Sequence, residues 1–536
     1  MLSLTLRSVR GAINHISTRS LSPSYTPLAL SPSQDSSTSS PIASSNGEAD
    51  FDSLPAQGTA RSTAYNRLLA FLLFLLPSFI QSRIRPGAFK PRRMHPTSWL
   101  DGLRGVASLI VFFFHFTDDT HKGLLMSYGV QRDGDKAASS PLQLPFLRVI
   151  FAGKPMVHIF FVISGFVLAY KPLRQIRARQ FDSLQKTLAS SVFRRGFRLF
   201  LPTLVSTFII MFLRYYGWIP RKAKGSLYEQ FDQWQHEVIK ILGFIWQWDS
   251  SRTPDYDSHL WTIPIEMSFS MFLFVVVTGL SHVKTYVRLA AVVGLGAFCL
   301  RHGHYAGWEF MAGVVLAEVQ LIQDAHKERK AALEQNKEAA YIESSVGTAG
   351  LSDSTADGSR RRSVAKLIFQ GFLIVNLIFA LYVAGWPREK WEETPAIDFL
   401  LQHTPEPYRS RGQSWPIFIW YAIGAVQIVL ALQQIEPLRR VFNTKPAQYL
   451  ADVSYSLYIC HGPVMKVLHH RLMPYLWEPV GGIQGADMGG RFLVWFFGLT
   501  IMAIPVFWVS DIFLRVVDNK CVEFARWIEK KCVIDE

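Results

Sequence analysis

Cysteine is scarce, with four in 536 residues, at Cys299, Cys460, Cys521 and Cys532. Their spacing matches neither a zinc site nor a disulfide framework, so no metal site is expected and no small oxidised scaffold. Charge is also sparse. Charged residues make up 18% of the chain, and the 56 Lys and Arg outnumber the 41 Asp and Glu to leave a net charge of +15. In a soluble chain that excess would suggest nucleic acid. No nucleic-acid motif is present, and the basic residues sit between apolar runs, where membrane orientation and anionic lipid or phosphate ligands explain them better. No internal repeat is visible, which argues against a transporter built from inverted repeats.

Apolar sequence is abundant: 49% of residues are hydrophobic and 13% aromatic. They fall in long runs rather than at amphipathic spacing, which indicates an all-α, polytopic membrane helix bundle. Ten spans are predicted, near 99–117, 155–171, 198–216, 260–280, 286–302, 305–322, 366–386, 415–433, 446–468 and 490–514. The segment 171–198 carries eight Lys and Arg against Asp182 alone, which makes it cytosolic by the positive-inside rule. The alternate loops that follow, and the tail after residue 514, are basic too. Ten spans with both termini cytosolic satisfy that pattern.

Outside the spans, residues 1–66 form a Ser/Pro-rich tail with Arg7, Arg10 and Arg19 and no acid before Asp35. A mitochondrial transit peptide shares those traits, but the Ser/Pro bias continues to about residue 60, and a disordered cytosolic tail is the preferred reading. An endoplasmic reticulum or other endomembrane setting follows from it. Residues 67–96 hold a short apolar stretch, Leu68 to Ile80, that contains Pro77 and is read as an interfacial or re-entrant helix on the cytosolic face, followed by a basic linker. Within the membrane domain, 97–515, Tyr228 to Trp248 has loosely helical spacing, 324–340 reads as a solvated helix and 341–363 as a linker, both in the cytosolic loop 323–365. Residues 516–536 form a cytosolic C-terminal tail.

Several ionisable residues stand inside apolar runs, where they are costly and read as functional by default. Asp101, Arg104 and His115 share a run that opens Trp99-Leu100-Asp101-Gly102-Leu103-Arg104-Gly105. Eleven residues is close to three helical turns, so Arg104 and His115 point the same way. Either His115 is a packed histidine with Arg104 snorkelling, or both belong to a site. His158 precedes Phe160-Phe161-Val162-Ile163-Ser164-Gly165-Phe166, whose small pair favours close helix packing. Arg194, Arg195 and Arg198 crowd the mouth of the third span, as an orientation signal or as a phosphate clamp. His259, Trp261 and Glu266 lie along His259-Leu260-Trp261-Thr262-Ile263-Pro264-Ile265-Glu266. Asp452, Tyr455, Tyr458 and His461 recur at three-residue steps in the ninth span, as helix glue or as a site wall.

In this order the motifs resemble the acyltransferase-3 family of integral membrane acyltransferases, over about residues 97 to 515, and the long tail and the loop 323–365 look like its fungal members. The chain departs from the family pattern where Pro202 lies four residues after Arg198 and where Ser270 follows Phe269. The resemblance implies transfer of an acyl group, usually acetyl from acetyl-CoA as co-substrate with no bound cofactor, to a hydroxyl of a carbohydrate or small lipophilic acceptor, with specialised-metabolite biosynthesis as one setting. His115 is then the catalytic base, with Glu266 or Asp101 to orient it. Arg104, Arg194, Arg195 and Arg198 bind the CoA phosphates. His259, Trp261, Tyr455 and His461 contact the acceptor. The competing class is a proton-coupled transporter that uses the same His, Arg and Glu as a relay. An enzyme works in detergent, whereas a transporter needs sealed vesicles.

Overall fold

The computed structural model describes residues 60–85, 94–130, 139–220, 225–243, 246, 248, 255–344, 356–411 and 415–533. Contacts divide the chain into two units, Met1–His95 and Pro96–Glu536. The first contains α1 (Ala60–Leu75) and α2 (Ser78–Ile84), separated at Pro77. Proline interrupts the helix because its ring removes a hydrogen-bond donor and crowds the preceding turn. The expected tail over 1–66 lies outside the described residues up to 59, and a helix occupies the rest of it.

The second unit is a helix bundle with no strand among the described residues, apart from an isolated bridge between Met126 and Glu389. Its main helices are α3 (Ser98–Thr120), α4 (Gly153–Arg177), α5 (Phe181–Tyr215), α6 (Leu227–Gly243), α7 (Thr262–Gly279), α8 (Thr285–Arg301), α9 (Tyr305–Ser344) and α10 (Ala356–Ala384), followed by α11 (Pro416–Gln434), α12 (Lys445–Trp477), α13 (Met488–Phe513) and α14 (Asn519–Cys532). All ten predicted spans fall on helices. Among the described residues seven helical stretches are long and apolar enough to cross a bilayer: Ser98–Thr120, Gly153–Arg177, Phe181–Tyr215, Ser258–Gly279, Lys366–Ala384, Pro416–Gln434 and Met488–Cys532. The other three predicted spans fall on α8, which is 17 residues long, and on α9 and α12. α9 buries Glu309 and Glu318, and α12 buries His461. Helices lined by protein rather than lipid tolerate such residues. Two loop expectations change. The solvated helix of 324–340 is the continuation of α9, and the predicted linker 341–363 is helical at both ends, with 345–355 outside the described residues.

Close approach sets the packing. α3 runs along α12, and α4 along α9. A Cβ on Gly105 of α3 would lie 2.3 Å from the backbone nitrogen of Ala451 in α12. A Cβ on Gly165 of α4 would lie 2.2 Å from the Phe310 carbonyl oxygen of α9. No other residue fits either place, and small residues at such crossings let dispersion contacts form along both helices. Ser108 then donates from its hydroxyl to the Ser454 carbonyl at 3.1 Å across the α3–α12 seam. Further along α9, Glu318 is gripped by Arg288 of α8 and Arg177 of α4, each at 3.0 Å. This ion network joins three helices where the acid is 2% exposed.

Candidate active site

α3 carries Arg104 near its start and His115 near its end, and the neighbouring helices build a different environment at each. At the Arg104 end, Arg104 donates through Nε to the Ser454 hydroxyl at 3.1 Å and lies 3.7 Å from Asp101. Arg195 of α5 pairs with Glu266 of α7 and also donates to the Ser270 hydroxyl at 3.0 Å. Arg194 pairs with Glu529 of α14 at 3.2 Å. Arg198 is surrounded by the charges of Arg195, Asp518, Arg104 and Arg194. The four arginines do converge, as the sequence suggested, but four acids accompany them. The group is a balanced network rather than an open cationic patch.

Glu266 and Asp101 were expected to orient His115. Both belong instead to this arginine network, and Asp101 lies fourteen residues from His115 along α3. Tyr455, expected to meet the acceptor, also lies here. Its hydroxyl donates to the Leu199 carbonyl at 2.7 Å, and its electrostatic neighbours are Asp518, Arg195, Cys521 and Arg198.

At the other end of α3, three histidines from distant segments meet. The His115 ring stands edge-on to His259, with centroids 4.0 Å apart, and stacks on His461 at 5.2 Å. His259 and His461 are 4.7 Å apart. One ring nitrogen from each lies within 4.8 Å of the others, a spacing that a divalent cation also bridges. Sequence spacing could not reveal this group, because its members are separated by more than a hundred residues.

The imidazoles are held from behind. His259 donates through Nδ1 to Asp257 Oδ1 at 2.7 Å, and its backbone N–H donates to the same oxygen at 3.1 Å. Tyr458 donates to the His259 carbonyl at 2.6 Å and shares a hydrogen bond with Thr262 at 2.8 Å. His461 donates through Nδ1 to the Leu457 carbonyl at 3.0 Å, the preceding turn of α12. Asp257 is fully buried. Burial alone would raise its carboxyl pKa, but the attraction of His259, the hydrogen bond from that ring, and Lys466 outweigh it and hold the value below the usual 3.8. Asp257 therefore stays ionised. An Asp two residues before a His, at the entrance to a span, was the available signal for it.

The cluster opens into a cavity of about 460 Å³ lined by His115, His158, His259, Trp261 and Tyr458, with Asp118, Asp119, Lys154, Arg388 and Lys466 at its walls. Trp261 and His259 were expected here. His461, also expected to contact the acceptor, is 1% exposed and packs against His115 and His259 rather than lining the cavity. The three cations and two acids were not anticipated. Lys154 stands in the first turn of α4, Arg388 pairs with Asp118, and Lys466 sits one turn beyond His461. His158 in turn bonds Glu309 at 2.5 Å inside the bundle.

Residues 97–513 match the family model described as an acyltransferase domain. The chain belongs to this family. Among curated relatives, the acyltransferase is 28% identical over 508 residues to the O-acetyltransferase PaAT-1 of Phomopsis amygdali, covering 88% of this chain and 92% of that one. It is 25% identical over 480 residues to the acyltransferase clz18 of Cochliobolus lunatus, covering 80% and 95%. It is 26% identical over 493 residues to the acyltransferase R4 of a Phoma species, covering 81% and 96%. No solved structure matches it. The protein is thus a helical, integral membrane acyltransferase.

Proposed function

We propose that the enzyme moves an acyl group, acetyl in the first instance, from acyl-CoA to a hydroxyl of a small lipophilic or carbohydrate acceptor. The observation that carries this reading is the placement of His115. It faces the cavity at one end of α3, and the other end of the same helix carries the arginine network. The separation is ~16 Å at 1.5 Å per residue, a length that an extended pantetheine arm spans.

In this scheme the CoA phosphates engage the guanidinium groups of Arg104, Arg194, Arg195 and Arg198, whose five-donor forks hold a phosphate and a carboxylate together. The thioester reaches the cavity. His115, neutral, takes the acceptor's proton as the oxygen attacks the thioester carbonyl. Trp261 and His259 supply cavity wall for the acceptor. The name of the Phomopsis amygdali relative supports oxygen as the acceptor atom. The basic loops and tail suit residence in the endoplasmic reticulum or another endomembrane.

Purified protein in detergent, given acetyl-CoA and an extract of small metabolites, is expected to release free thiol and to yield a product heavier by one acetyl group. His115→Ala should lower kcat by about 10²–10⁴-fold, the usual worth of a positioned base, while the protein still elutes as a folded species. Equal release from the variant removes His115 as the base. Activity confined to sealed vesicles would indicate transport instead.

A further inference from the structure

Two features of the histidine cluster are not used when His115 is treated as a lone base. The first is the locked tautomer of its neighbours. His259 places its Nδ1 proton on Asp257, and His461 places its own on the Leu457 carbonyl. Each therefore keeps a bare lone pair on Nε2. The His461 Nε2 is buried without a hydrogen-bond partner. Two acceptors are thus held beside a third imidazole with no donor supplied to them by the described residues. Neutral His115 has a single N–H to offer. Its cation has two.

The second feature is Asp257. It is fully buried, one oxygen is spent on His259, and the other, Oδ2, has no hydrogen-bond partner. Both of its hydrogen bonds, from the His259 ring and the His259 backbone N–H, fall on one oxygen, and against a neutral ring part of the desolvation cost stands. A positive charge on that ring repays it. The ring is also clamped in place. A Cβ on Gly462 would lie 2.6 Å from His259 Nδ1, so α12 presses its bare backbone against the imidazole. Tyr458 holds the backbone carbonyl of the same residue. This is the bracing expected for an oriented catalytic imidazole, where a carboxylate fixes tautomer and direction.

We propose that the proton removed from the acceptor is carried by the His115–His259 pair, with Asp257 as its fixed counter-charge. The inference rests on the acyl-transfer reading and refines it. As the acceptor hydroxyl gives its proton to the cavity-facing nitrogen of His115, the proton on the other nitrogen of that ring passes to His259 Nε2. His259 becomes an imidazolium paired with Asp257. The acceptor oxygen forms its bond to the thioester carbon, the carbon–sulfur bond breaks, and the thiolate recovers the proton from His115 while the second proton returns from His259. Ester and free CoA result, and all three side chains end as they began. The nitrogens stand within 4.8 Å in the free enzyme. A turn of the His115 ring on substrate binding brings them to hydrogen-bond length, as catalytic bonds tighten in the complex. Asp257 is then a positioning residue, and His259 acts on the reaction through His115.

Other charges face the pair from every side. Asp118 and Asp119 come from α3, Lys154 and His158 from α4, and Lys466 and His461 from α12, with Arg388 in the segment after α10. His469 lies near Asp119. Asp118 is taken by Arg388. Asp257 is the carboxylate hydrogen-bonded to an imidazole of the cluster.

The test is the pH dependence of kcat/KM in the purified enzyme with acetyl-CoA and its acceptor. Asp257→Asn keeps the shape and removes the charge. The imidazolium loses its counter-charge, the pair's apparent pKa falls, and the acid limb should move to lower pH by about one unit or more. Maximal kcat should fall about 10²-fold with KM for acetyl-CoA unchanged. Gly462→Ala, which crowds the His259 ring without touching any charge, should lower kcat and shift the limb the same way. A merely structural role would lower kcat and leave the limb in place, and that result overturns the proposal. The wild-type enzyme provides an independent check in mixed light and heavy water. Two protons in flight bow the plot of rate against deuterium fraction, and a straight line overturns the relay even if both variants misfold. Stoichiometric zinc with activity abolished by a chelator would make the cluster a metal site and also overturn it. A wild-type enzyme that releases no thiol with any acceptor refutes acyl transfer itself, and the relay with it.

Discussion

Replacing Glu266 by Gln separates two roles that the sequence left together. Glu266 pairs with Arg195, and their side chains are 15% and 13% exposed. A CoA phosphate on the free edge of the Arg195 guanidinium would stand about 5–6 Å from the carboxylate it competes with. At an effective dielectric between 20 and 40, the repulsion is ~1.5–3 kcal/mol per unit of phosphate charge. Removing the carboxylate charge should therefore tighten the donor, lowering KM for acetyl-CoA by about tenfold to a hundredfold. Arg195 keeps its second bond to Ser270, so its fork stays oriented. Arg195→Gln should move KM in the opposite direction. Initial rates across a range of acetyl-CoA, at saturating acceptor, separate KM from kcat. A loss of 10²-fold or more in kcat with KM unchanged would refute the reasoning, because it would place Glu266 in the chemical step rather than at the phosphates.

Two further outcomes concern stability. Glu318→Gln leaves Arg288, 4% exposed on its side chain, without its carboxylate. Stranding one member of a buried ion pair costs about 3–5 kcal/mol, so the melting temperature in detergent should drop sharply, and an unchanged melting curve would show that the α4–α8–α9 network contributes little. His121, at the end of α3, is pushed by burial from 6.5 to about 4. The folded protein then binds fewer protons than the unfolded chain, so stability is intact above about pH 6.5 and falls as pH drops towards 4, by up to about 3 kcal/mol. Denaturant midpoints measured across that range should show the slope, and His121→Asn should remove it.

The legible part of the fold followed from patterns that are local. Each predicted span is a run of apolar residues, and each run became a helix because a backbone leaving water must satisfy its own hydrogen bonds. The count was harder. α9 and α12 are as central to the bundle as any span, yet they bury Glu309, Glu318 and His461. Composition reads a helix's surroundings as lipid, and these helices are surrounded by protein. The glycines of the Asp101–Gly105 motif were visible as letters, but their reason is backbone pressed against them, that of Phe442 just before α12 at Gly102 and that of Ala451 in α12 at Gly105.

The site divides the same way. Arg104 and His115 could be placed on one face of one helix because a helix repeats every 3.6 residues, and the sequence alone suffices for that. Glu266 and Tyr455 were assigned to His115 and the acceptor by residue type, helix-face spacing and the family resemblance, and they joined the arginines. Asp257 went unnoticed between two loops. Which charge meets which imidazole depends on how α3, α7 and α12 cross, since a pair separated by hundreds of residues has no sequence period to announce it. By itself the sequence determined the membrane helices, the basic loops and the chemistry available on each helix. Only tertiary packing decided that His115 would meet His259, itself held by Asp257, rather than Glu266, because a hydrogen bond is made over about 3 Å and only the helix crossings fix positions that finely.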